Sequence, residues 1–128
     1  MRFILIILLL TATVGCSPDE HPITKRDVLE AFESKGYQVI PTDKMPHTFN
    51  GVTSNAYDFV EEWIYIFVYK NTEERNKGMM AYNQFREENP SWMPGKTYTL
   101  ENVFILHLKL KNEIDEEMNT VLESLNQR

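Results

Sequence analysis

The sequence predicts an α+β domain: a two-layer sandwich in the order α-β-ββα-ββα, with a mostly antiparallel sheet of about five strands and helices on one face. Three observations predict it. Residues 57–71 match residues 98–112 at an offset of 41, with Tyr57, Ile64, Lys70 and Asn71 repeated as Tyr98, Ile105, Lys111 and Asn112. Within each copy, apolar residues alternate as they do along half-buried strands. A short polar side chain followed three residues later by a carboxylate recurs at the start of apolar-periodic segments, which is the chemistry of a helix N-terminus.

The first helix begins at such a signal. Thr24 is placed as N-cap with Asp27 at N3, and Ile23 stands where it can staple onto Val28. Val28, Leu29 and Phe32 share one face, and Gly36 supplies a left-handed stop. A short strand over 37–40 is ended by Pro41. Residues 42–55 read as a loop carrying Met45-Pro46 and the turn pair Asn50-Gly51.

Each copy of the repeat then reads as a strand, a tight turn, a second strand and a helix capped by the matched asparagine, Asn71 with Glu74 and Asn112 with Asp115. The middle helix, 72–88, shows Gly78, Ala81, Tyr82 and Phe85 on one side, small residues that suit close approach to a sheet, and Asn89-Pro90 ends it. The last helix carries an apolar stripe of Ile114, Met118, Val121, Leu122 and Leu125. In the second copy Phe104, Leu106, Leu108 and Leu110 face the core, while His107, Lys109 and Lys111 turn to water. By the match, Trp63, Tyr65, Phe67 and Tyr69 are core facing. Ile64, Ile66 and Val68 then form an apolar second face that needs a cover from the loop, the first helix or another molecule.

Composition narrows the function classes. The 128 residues carry a formal net charge of −6, and the loss of Arg2 with a leader would make the remainder more negative still. Phosphate binding depends on clustered Lys and Arg, so nucleic acid is not an expected partner. Cys16 is the one cysteine, which excludes an intramolecular disulfide. Five glycines leave little room for a phosphate-cradling loop.

The N-terminus supplies the strongest signal. One cation, an apolar run over 3–10, small residues and then Gly15-Cys16 have the organisation of a secretory leader, and the run is shorter than the roughly 20 apolar residues that span a bilayer. With Ala12-Thr-Val-Gly-Cys16 as a lipobox, the segment resembles the signal peptide of bacterial lipoproteins, although Thr13 stands where Leu is commonest. That resemblance implies cleavage before Cys16 and a diacylglyceryl group on its sulfur. Two acyl chains anchor a protein stably, where one does not. The chain then divides into a leader, 1–15, a lipidated cysteine and tether, 16–22, and one domain, 23–128. The polar tether from Ser17 to Pro22 reaches at most about 20 Å and keeps the domain close to the membrane.

The order Phe49-Asn-Gly-Val52, then Tyr57 and Ile64-Tyr-Ile-Phe67, a charged helix and Val103-Phe-Ile-Leu106 resembles small uncharacterised lipoproteins of bacilli. The resemblance implies a single-membrane host and a place on the outer face of the cytoplasmic membrane. Some such lipoproteins serve as exclusion or immunity factors of mobile elements. No active site is transferred by it.

The residues themselves offer no catalytic constellation. There is no His-Glu-x-x-His, Gly-x-Ser-x-Gly or Cys-x-x-Cys, and His21, His47 and His107 are isolated in sequence. His47 with Asp43 could at best hold a metal weakly, and no metal or cofactor is expected. The acidic groups Glu61-Glu62, Glu87-Glu88 and Asp115-Glu116-Glu117 fall at a turn, a helix end and a helix start, where carboxylates have ordinary structural roles.

Two readings of function follow. In the first, the protein is a lipid-anchored, non-enzymatic module that contacts an unidentified envelope protein, with Trp92 and Met93 at one loop tip and Met45 and Phe49 at another as candidate contacts. Proline-stiffened loops present such anchors well. Trp92 can instead fold back over the sheet edge. In the second, Trp63, Tyr65, Phe67 and Tyr69 line a pocket for a small ligand, which requires an enclosed cavity beneath them.

Overall fold

Five strands form one antiparallel sheet in a computed structural model that describes residues 21–92, 95–108 and 116–127. The strands are β1 (Ile40–Pro41), β4 (Ala56–Phe59), β5 (Glu62–Val68), β6 (Gly95–Leu100) and β7 (Val103–Leu108), in the spatial order β1-β4-β5-β7-β6. A separate hairpin pairs β2 (His47–Phe49) with β3 (Val52–Ser54). Among the described residues there are three helices: α1 (Lys25–Ser34), α2 (Thr72–Glu88) and α3 (Glu116–Asn126). The α+β class and the five-stranded antiparallel sheet are those the sequence predicts.

The helix starts obey their local chemistry. Thr24 accepts from the Asp27 amide at 3.1 Å while the Asp27 carboxylate accepts from the Thr24 amide at 2.8 Å, a complete capping box. Asn71 accepts from the Glu74 amide at 2.8 Å. Gly36 takes φ +81° after α1, as a left-handed stop requires. Asn112, Asp115 and Ile114 lie outside the described residues, as do the leader, Cys16 and residues 17–20 of the tether.

The repeat is written into the sheet. β4-β5 and β6-β7 are two-residue-turn hairpins, joined by pairing β5 with β7 so that Tyr65 faces Leu106, its own equivalent in the repeat. Equivalent residues share a face: Ile64 and Ile105 on one side, Tyr65 and Leu106 on the other. The helices do not follow. α1 and α3 cover the Ile64 face, packing Val28, Phe32, Met118, Val121 and Leu125 onto Ile64, Ile66, Val103 and Ile105. α2 lies on the opposite face, with Tyr82 among Tyr65, Phe67, Phe104 and Leu106. Helices expected on one face are thus divided between both, and the sheet is the middle of three layers. An amphipathic pattern tells which side of a helix is buried, but not which face of the sheet it meets.

Three further expectations are corrected. Residues 42–55 are not all loop, because Asn50 and Gly51, at φ +49° and +76°, close the β2-β3 hairpin in the backbone geometry of a two-residue turn. The early strand is Ile40–Pro41 and not 37–40; Pro41 sits on the edge strand, where a missing amide costs no ladder bond. His107 is buried, since α1 and α3 make its face an interior one; its Nε2 lies 2.7 Å from Glu62 Oε2, an ion contact when the imidazole is protonated. Val60 and Glu61, closing β4-β5, both have positive φ (+46° and +65°), a turn that ordinarily takes Asn-Gly.

Candidate functional site

The residues singled out in the sequence converge on the α2 side of the sheet. β5 carries Tyr65 and Phe67 on that face, with Tyr69 just beyond its end, and all three are buried. A buried phenol needs a partner for its hydroxyl. Tyr65 donates to the Met45 carbonyl at 2.9 Å and Tyr69 to the Phe49 carbonyl at 3.0 Å. These two bonds pin segment 45–49 along the sheet. Burial pushes the Tyr65 and Tyr69 hydroxyls above the ordinary phenol range, Tyr69 up to about 12.

Close approach of α2 makes this layer possible. A Cβ at Gly78 would collide with the Tyr69 ring, so only glycine lets the helix pass there. Tyr82 and Phe85 then reach Phe49 with ring centroids 5.6 and 5.8 Å apart, and Phe49 stands 5.3 Å from Phe67. At the edge of this layer His47 is ringed by Tyr65, Phe85 and Trp92 at 5.0, 5.7 and 5.1 Å. Partial burial among rings lowers the His47 pKa, because it takes solvation from the charged imidazolium.

Trp92 is half-buried. It folds back onto His47, Tyr82 and Phe85, and Arg86 donates from Nη1 to its carbonyl at 2.7 Å while the guanidinium stands 5.8 Å from its ring. Phe49 is buried as well. Neither aromatic is the free anchor that its loop position suggests, because the hairpin carries Phe49 inward and the rings of α2 cover Trp92. Met93 lies outside the described residues. The loops of Met45 and Trp92 do meet, through His47 and Trp92, and Met45 remains outside at 77 % exposure. Beside it Lys44 Nζ lies 4.4 Å over the ring of Trp63, which is half-buried and not core.

The result is a small surface on two loops that meet at His47 and Trp92: Met45 in solvent, and two cation-aromatic pairs, Lys44 with Trp63 and Arg86 with Trp92. Its backbone is held by the Tyr65 and Arg86 bonds. Beneath it, the space that a ligand would need is filled by Phe49, Tyr82 and Phe85. Among the described residues, no three His, Cys, Asp or Glu side chains cluster to hold a metal ion, and no helix is long and apolar enough to cross a membrane. His107 with Glu62 is a titratable pair that sequence spacing did not show; the Cα pairing of Ile64 with His107 places the two side chains on one face, and only the strand register reveals it.

No protein-family model, curated protein or solved structure matches this chain.

Proposed function

We propose that the protein is a lipid-anchored module, held through Cys16 at the outer face of the cytoplasmic membrane, that acts by contact with another envelope protein and not by catalysis. The observation that carries this reading is the preorganised surface around Met45. A thioether adapts to a partner's shape, tryptophan and arginine are favoured contact residues, and a backbone already fixed loses little entropy on binding. Exclusion or immunity on behalf of a mobile element is one form such contact would take. The alternative of a small-ligand carrier has no comparable support, because the aromatic layer is packed with the protein's own rings.

The test is a photo-crosslinking amino acid placed at position 45 in intact cells, with position 33 on exposed Glu33 of α1 as control. A covalent adduct to one envelope protein from position 45, absent from position 33 and weakened by Trp92→Ala, is the expected outcome. Equal labelling from both positions, or none from 45, overturns the assignment of this surface.

A further inference from the structure

Asn102 is a buried polar side chain in the β6-β7 turn that is spent on the beginning of the domain. Its Oδ1 accepts from the Ile23 amide at 2.9 Å, and its Nδ2 donates to the carbonyls of Ile23 and Tyr69, each at 2.8 Å. The Tyr69 amide returns a bond to the Asn102 carbonyl at 2.9 Å. Ile23 itself is 1 % exposed. Pro22, exposed, lines a small cleft together with Lys70, Asn71, Thr72, Glu101 and Asn102. The chain therefore leaves the domain at a defined point: the end of the sheet where β5 finishes, β6 turns into β7 and α2 begins.

The surface around Met45 is at the other end. Six-residue β6 runs from Gly95, three residues after Trp92, to Leu100 beside Asn102, about 20 Å at strand rise. The 17 residues of α2 cover the same span in the opposite direction, from Asn71 to the turn before Trp92, about 25 Å at helical rise. Resting on the lipidated Cys16 proposed above, we infer that the domain stands on the bilayer with the Asn102 end against the phospholipid headgroups and the Met45–Trp92 end pointing away. The point of emergence decides this. An inverted domain would hold Ile23 some 20–25 Å above the headgroups, and the seven Cα steps from Cys16 to Ile23 cover that only when drawn out to their limit of about 23–25 Å, with the conformational freedom of every tether residue given up. Charge does not decide it, because the lower end carries Lys70 and Lys77 beside Glu73, Glu74 and Glu101. The membrane contact is set by where the chain emerges, and the opposite end is left for a partner.

A chain whose one native cysteine is acylated can be labelled at a single introduced thiol. Lys70→Cys and Met45→Cys variants of the full lipoprotein, each carrying an environment-sensitive fluorophore, are reconstituted into phosphatidylcholine–phosphatidylglycerol vesicles containing a headgroup-spin-labelled quencher. Loss of fluorescence at position 70 and none at position 45 is expected. Inserting about twelve Gly/Ser residues between Pro18 and Asp19, which lengthens the reach without touching the domain, should abolish that difference while the protein still floats with the vesicles. Protein that floats but is quenched equally at both positions overturns the orientation alone. Protein that does not float overturns the anchor, and the orientation with it.

Discussion

The two faces of the sheet are built on different physics. The face under α1 and α3 is aliphatic at its centre, with Ile64, Ile66, Val103 and Ile105 meeting Val28, Met118, Val121 and Leu125 in non-directional contacts, and only at one side do Phe32, Tyr37 and His107 gather edge-on around Phe59. The face under α2 and the β2-β3 hairpin is aromatic and directional: tyrosine hydroxyls reach named carbonyls, and rings meet edge to face. Volume matters on both. Orientation matters across the whole of the second, and that is the face whose edge forms the candidate surface.

The sharpest way to break this contrast is Gly78→Ala. An alanine ordinarily helps a helix by about 1 kcal/mol, yet here its Cβ meets the Tyr69 ring and the Tyr69–Phe49 bond must give, so a net loss of about 2–3 kcal/mol is expected. In a Tyr69→Ala background the same change should become stabilising, a sign reversal read from denaturant melts of the four proteins of the cycle. A loss that is the same in both backgrounds would show that packing against Tyr69 is not the cause.

A gentler comparison sets Tyr69→Phe against Ile66→Val, one atom group from each face. Removing the hydroxyl takes a buried hydrogen bond from the Phe49 carbonyl and should cost about 1–3 kcal/mol. Trimming one methyl from Ile66 should cost about 0.5–1.5 kcal/mol. Equal costs would erase the distinction between the faces.

The smallest effect expected is one of pH. His47 has a folded pKa below its ordinary 6.5 through burial among rings, so the unfolded chain takes up a proton before the folded one does. Stability from this group is complete above the unfolded pKa and is lost as pH falls from there through the lowered folded value. His47→Gln should flatten that part of the stability profile, and an unchanged slope would show that the imidazole is not the group responsible.

Much of this architecture is legible in the sequence where the cause is local. Thr24 with Asp27, Asn71 with Glu74, and Gly36 each satisfy or terminate a helix by themselves, and the ββ halves of the repeat appear as the same hairpins. What escaped depends on partners distant in sequence. His47-Thr-Phe49 and Val52-Thr-Ser54 are too short to show alternation, and they become strands because Tyr65, Tyr69 and α2 hold them. The neighbours Lys109 and Lys111 point His107 to water, although its burial is decided by the helices across that face. The candidate surface was half visible. Met45 and Trp92 stand out as apolar residues in proline-flanked loops, but that Trp92 is tied to His47 while Met45 stays free follows from the hairpin, which only the three-dimensional arrangement supplies.

The clamp at Asn102 also has a mechanical meaning. Tension arriving along the N-terminal segment meets Ile23 first, and both backbone polar groups of Ile23 are bonded to a side chain of the β6-β7 turn. From there the load passes into the two strands that the turn joins and, through the Tyr69 carbonyl, toward β5. Such a pull is borne by the middle of the sheet, in line with its strands, before it can unwind α1, and the helices stay seated.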